Sequence, residues 1–136
     1  MTITAPPISS AACHCTGCQK LTGGAYSLTL ILPAAGFAVT EGEPVIGGLH
    51  GPETQLYCPH SMSWIFNRPA AIPGIVNVRA TMLDDASWFT PFVEMWTETK
   101  LPGVVTGAQR SFARYPPEAE WGGLMADFAR HGVRPR

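Results

Sequence analysis

Glycine and proline set the first limit on this chain. Fourteen glycines and thirteen prolines punctuate its 136 residues, and that spacing favours short segments joined by turns over long helices. The segments between them are rich in β-branched and aromatic residues. Tyr26 to Leu32 reads as a strand closed by Pro33. Phe37 to Thr40 reads as a second, ended by the turn-like Glu41-Gly42-Glu43-Pro44, and Val45 to Leu49 as a weaker third. Thr54 to Cys58 and Ser63 to Asn67 form two arms of a hairpin around Pro59 to Met62. Ile75 to Thr81 alternates, with Val76, Val78 and Ala80 on one face, and Phe92 to Thr97 is a further candidate. Many short strands at close spacing predict an all-β domain of antiparallel strands. The C-terminus differs. Trp121, Leu124, Met125 and Phe128 fall on one helical face, with Pro116-Pro117 before them and Gly132 after them as a C-cap. The sequence predicts one domain over residues 1–136, with a short amphipathic helix in the extension 117–136.

Hydrophobic residues make up 46% of the chain, enough for a real core, while charged residues are only 14% against a usual fraction of roughly 25%. A surface so poor in charge favours self-association, so a homo-oligomer is one expectation. The net charge of -1 gives no basis for binding nucleic acid, which needs clustered cations. The one basic run, Arg130, His131, Arg134 and Arg136, reads as a solvated tail. Met1 to Ala12 has neither the basic nor the apolar region of a signal peptide. No apolar stretch approaches the ~20 residues that span a bilayer. A soluble cytoplasmic protein is the expectation. In that reducing compartment cysteines serve as metal ligands or nucleophiles more readily than as disulfides.

The chemistry concentrates at Cys13-His14-Cys15-Thr16-Gly17-Cys18. Three thiols within six positions can point at one metal from a tight loop, and Gly17 offers a place for the backbone to turn. Soft thiolates favour zinc over magnesium or calcium. Three arrangements are open on spacing alone. Cys13, Cys15 and Cys18 hold zinc with a free fourth position, or Cys58 closes a four-cysteine structural site, or the thiols act without a metal. His14, between two ligands in sequence, is expected to point away from them. His60 falls in a turn, and Asp84-Asp85 also reads as a turn because adjacent extended residues face opposite ways.

The stretch from Cys13 to Tyr26 resembles the glutathione-dependent formaldehyde-activating enzyme family, which carries a C-H-C-x-x-C motif running into a strand. The resemblance continues through Glu41-Gly42-Glu43, Tyr57-Cys58-Pro59, Val78 to Asp85, Pro91, Trp96 and Lys100-Leu101-Pro102, covering about residues 4–116. It implies tent-like packed sheets and two zinc sites. One is catalytic, on the residues matching Cys13, Cys15 and Cys18. The other is structural, on an N-terminal C-x-C-G motif and a central C-x-x-C-G motif. It also implies carbon–sulfur lyase-like chemistry on a thiol–carbonyl adduct, S-hydroxymethylglutathione, formed from glutathione and formaldehyde.

The sequence departs from this pattern twice. No C-x-C-G motif precedes Cys13, and the central motif reads Cys58-Pro59-His60-Ser61-Met62, with Ser61 in place of the second cysteine and Met62 in place of the glycine. The structural zinc is therefore expected to be lost at Cys58 and Ser61, with apolar packing of Tyr57, Met62, Trp64, Ile65 and Phe66 in its place. With Cys58 assigned by the resemblance to that other site, a single zinc on Cys13, Cys15 and Cys18 is favoured. It would take a small thiol substrate of the glutathione type. Gln19 and Lys20, next to the cluster, are candidates for contact with an anionic substrate, and Phe66 and Trp96 for lining its pocket. The competing reading is a non-catalytic zinc-binding or interaction module.

Overall fold

The computed structural model describes residues 1–135, and Arg136 of the basic tail lies outside the described residues. Ten strands and two α-helices follow in chain order. They are β1 (Thr2–Ile3), β2 (Ser9–Cys13), α1 (Thr16–Thr22), β3 (Ser27–Pro33), β4 (Phe37–Ala38), β5 (Val45–Gly47), β6 (Thr54–Tyr57), β7 (Trp64–Arg68), β8 (Ile75–Arg79), β9 (Val93–Met95), β10 (Arg110–Ser111) and α2 (Trp121–His131). Eight strands form one sheet in the order β10-β9-β2-β3-β8-β7-β6-β5, and β1 pairs with β4 in a small second sheet. The fold is all-β with a short C-terminal helix, as the turn spacing requires.

Most pairs are antiparallel, but β9 runs parallel to both β2 and β10. No hairpin signal in the sequence reports that pairing, because its partners lie about eighty residues apart. Strand β2 itself is absent from the sequence reading. Its residues Ser9-Ser10-Ala11-Ala12-Cys13 are small and weakly β-forming, yet all five are buried. Their size suits a central strand covered on both faces.

Alternation along the strands separates two cores. On one face Leu30, Leu32, Val76, Val78 and Phe66 pack with Phe37. On the other, Ala11, Phe92, Val93 and Met95 receive Leu124 and Phe128 of α2. Trp121 packs at the edge of this second core, and Met125, from the same helical face, is left partly exposed.

Helix α2 ends at Gly132, but not through the left-handed geometry that usually favours glycine. Its backbone is extended, with φ -67° and ψ 141°. The requirement is one of space. A Cβ there would run into the Phe128 ring and stand 2.6 Å from the Phe128 carbonyl oxygen. Gly132→Ala should destabilise the fold by about 1–3 kcal/mol through overpacking, read as a lower midpoint in urea with an unchanged slope.

Candidate metal centre

The cysteine motif sits where β2 leaves the sheet. Cys13 is the last residue of β2, paired with Ser27 on β3 and Met95 on β9. Cys15 is the N-cap of α1, with extended backbone at φ -61° and ψ 152°. Its Sγ accepts a hydrogen bond from the Cys18 backbone N–H at 3.3 Å, so a thiol fills the place that serine or aspartate usually takes. Cys18 is one turn further on, in α1. The motif is thus a strand end and a first helical turn, not the tight loop expected. Gly17 lies within that turn, and the left-handed glycine is Gly23 at φ 61°, which stops α1.

This arrangement brings the three sulfurs within 4.8 Å of one another. Tetrahedral zinc with bonds of about 2.3 Å needs sulfurs about 3.8 Å apart, so the donor set fits such an ion with small adjustments. Cys13 is buried, and Cys15 and Cys18 are half-buried. By themselves the sulfurs share one negative charge. It rests on Cys15, whose thiol is held down at about 2 by hydrogen bonds from the Cys13 and Cys18 thiols and from the Cys18 and Gly17 backbone N–H groups. The hydrogen bonds of Cys13 to Cys15 and Cys18, with its burial, push its own thiol up. A bound cation would remove this competition by binding all three as thiolates. The Ser27 hydroxyl, 3.2 Å from Cys18 Sγ, is placed to donate to that sulfur.

His14 projects to the opposite face of the sheet and is wholly buried. Its Nε2 lies 3.0 Å from Glu94 Oε2. Because an ionised carboxylate only accepts, Nε2 carries the proton there. The Glu94 oxygens also accept from Lys100 Nζ, Thr106 Oγ1 and Ser111 Oγ at 2.7–3.3 Å. Burial pushes the Glu94 carboxyl up, but the donors Ser111, Lys100, Thr106 and His14 together outweigh it and hold it at about 2. The histidine of the motif is therefore an anchor between two cysteines.

Gln19 Nε2 donates to the backbone oxygens of His14 and Thr99, at 2.8 and 2.9 Å. These bonds tie α1 to β2 and to the turn after β9. Lys20 is exposed on α1. Phe66 is buried in the core of the opposite face. Trp96 packs against the α2 core and meets Tyr115 edge-on at 5.5 Å. Its backbone is left-handed at φ 60°, a strained state for a bulky residue.

Cys58 stands at the end of β6, four strands from β2 in the sheet order. It is outside the convergent sulfur group, which removes the four-cysteine arrangement. Around the altered hairpin the expected apolar filling is partial: Trp64 and Phe66 are buried and Ile65 packs beside Phe66. Met62 is 62% exposed, and a cavity of about 250 Å³ lies between Cys58, Ser61, Phe66, Val39, Met1 and Met82. Short polar side chains at Ser61 and Ser63 bond to each other instead, Oγ to Oγ at 3.0 Å. Met62 is left-handed at φ 57°, at the position where the family pattern has glycine.

Ser27 and Glu94 escaped the sequence reading. Each left a signal: a hydroxyl at the start of the strand after the motif, and a single carboxylate inside the apolar run Phe92 to Met95.

A sheet protein with a cysteine centre able to hold a metal ion is the class these observations define. The chain matches the family model described as glutathione-dependent formaldehyde-activating enzyme over residues 1–99, and it belongs to that family. No match to an individual curated protein is found. No helix among the described residues is long and apolar enough to cross a membrane.

Two predictions follow from this geometry. The Glu94 carboxyl lies below its ordinary 4.5, so its contribution to stability is complete above about pH 4.5 and fades as the pH falls towards 2. Glu94→Gln should cost roughly 1–3 kcal/mol at pH 7, and the gap to wild type should close in acid unfolding curves. Met62→Gly should relieve a left-handed strain of about 1–2 kcal/mol at an entropic cost of about 0.5–1 kcal/mol, giving a modest rise in midpoint on thermal unfolding.

Proposed function

We propose that this chain is a zinc-dependent enzyme of the carbon–sulfur lyase type. Its substrate is a thiol–carbonyl adduct of the kind glutathione forms with formaldehyde, S-hydroxymethylglutathione. The observation that carries this reading is the convergence of three cysteine sulfurs, with no fourth ligand group beside them among the described residues and two of them partly open to solvent. A closed structural centre would need a fourth protein ligand, and Cys58 is too remote to be one.

Cys13, Cys15 and Cys18 would hold the ion. Zinc so held supplies a fourth position that takes a thiol as its thiolate, or a carbonyl oxygen to polarise. In the reaction a carbon–sulfur bond forms between the thiol sulfur and the carbonyl carbon. The thiol proton ends on the carbonyl oxygen, and breakdown of the adduct reverses both changes. The protein's own part is positional. The strand end fixes Cys13, the helical turn fixes Cys15 and Cys18, and the Glu94–His14 and Gln19 anchors stop the motif from shifting. The Ser27 hydroxyl and the Cys18 N–H, donating to sulfur, draw off ligand charge and leave a bound ion more electrophilic.

Zinc content per chain, measured by elemental analysis on protein purified without added metal, tests the site. Wild type and Cys58→Ser should each hold one zinc, and Cys15→Ser should hold none or nearly none. Catalysis is tested by the rate of exchange between glutathione, formaldehyde and their adduct in NMR. That rate should exceed the spontaneous one with wild type and equal it with Cys15→Ser. An active Cys15→Ser protein would end this reading.

A further inference from the structure

Arg79 is a buried cation with no direct ionic partner among the described residues. It is 5% exposed. Its Nη2 donates to Asn67 Oδ1 at 3.0 Å and to the Asn77 carbonyl at 3.3 Å. Asn67 in turn donates to Glu53 Oε2 at 3.2 Å, so a carboxylate is reached only at second hand. Its Nε has no partner. A buried guanidinium left in this state costs free energy unless an anion answers it.

Its place in the sheet says which anion. Arg79 pairs with Thr29 of β3, two residues along from Ser27, which pairs with Cys13. Cross-strand partners share a face, so Arg79 and the cysteine centre lie on the same side of the sheet. The guanidinium is stacked 4.0 Å above the Trp64 ring. The register shift between Leu56 and Tyr57 brings Trp64 opposite Tyr57 and so onto this face. Burial lowers Arg79 to about 10.

Two more polar atoms are buried and unpartnered, Trp64 Nε1 under the guanidinium and Gln55 Oε1 near Gly48. The Gly47–Leu49 turn joins this stretch to the metal-binding helix. A side chain at Gly48 would meet Leu21 of α1, Gln55 Oε1 and Tyr57 Oη at 2.8, 3.0 and 3.1 Å. On its next residue Leu49 approaches Gly17 in the cysteine motif. Arg79 Nε and Trp64 Nε1 are thus donors that lack an acceptor on this side of the sheet, while Gln55 Oε1 is an acceptor that lacks a donor.

We propose that Arg79, stacked on Trp64, is the specificity-determining residue of the site and receives a carboxylate of the substrate whose sulfur docks at Cys13, Cys15 and Cys18. This inference rests on the thiol-binding reading above and adds to it the residue that would select thiols carrying a carboxylate. A guanidinium fork matches a carboxylate's two oxygens, and the Trp64 N–H adds a neutral donor.

The test uses two thiols that differ in one group, 3-mercaptopropionate and 3-mercapto-1-propanol. Their binding to the zinc-loaded protein is measured by titration calorimetry, with zinc content determined in the same samples. Wild type should bind the carboxylate by about tenfold or more over the alcohol, the scale of a charge-assisted hydrogen bond. Arg79→Gln should bind both with the alcohol's affinity and keep its zinc. Arg79→Lys, which keeps the charge without the fork, should hold part of the preference and serves if Arg79→Gln does not fold. Equal binding of both thiols by wild type, or an equal weakening of both in Arg79→Gln, would overturn the inference while leaving thiol docking intact. Loss of zinc in folded Arg79→Gln would also overturn it, assigning the guanidinium to the cluster itself. If wild type binds neither thiol, the thiol-binding reading fails and takes this inference with it.

Discussion

Glu94 keeps a negative charge in a place that water scarcely reaches, and it stays ionised only because four donors from separate parts of the chain surround it. His14 comes from the end of β2, Lys100 from the turn after β9, Thr106 and Ser111 from the segment returning along the sheet. Remove their agreement and the carboxylate must protonate or the region must open. The cysteine centre inherits this constraint. His14 lies between Cys13 and Cys15, so its anchorage on one face fixes the sulfurs on the other. Alternation along an extended chain does the rest, dividing a six-residue motif into ligands and a tether.

The same division explains what the sequence disclosed. The turns were legible because glycine and proline act locally, and the strands between them were placed to within a residue or two at Tyr26–Leu32, Ile75–Thr81 and the Cys58 hairpin. The cysteines were legible because three thiols in six positions have few other uses. Strand β2 was not, because Ser9-Ser10-Ala11-Ala12 carries no β-branched or aromatic residue, and its burial comes from neighbours far along the chain. Helix α1 was hidden too, since a cysteine N-cap and a glycine in the first turn argue against a helix when read alone. Arg79 fell inside a well-predicted strand, but its solitude is a tertiary property. Only the packed sheet shows that, among the described residues, no carboxylate bonds to it.

The hairpin at Cys58 shows how a family pattern decays. Ser61 and Ser63 hold the turn with a hydroxyl pair where a cysteine pair would be held by metal, and Met62 keeps the left-handed backbone that a glycine would take without strain. The β6 and β7 strands on either side fix where the turn must close, whatever residues fill it.

The parallel pairing of β2 with β9 has a consequence for synthesis. Synthesis runs from the N-terminus, so Cys13, Cys15 and Cys18 emerge about eighty residues before β9, and over that stretch β2 lacks one of its two flanking strands. Pairings of such long range also form late for entropic reasons. Throughout that interval the thiols are on a segment with neither its β9 neighbour nor its Glu94 tether. The ordered three-sulfur centre therefore belongs to the end of folding, and its thiols stay unguarded until β9 arrives.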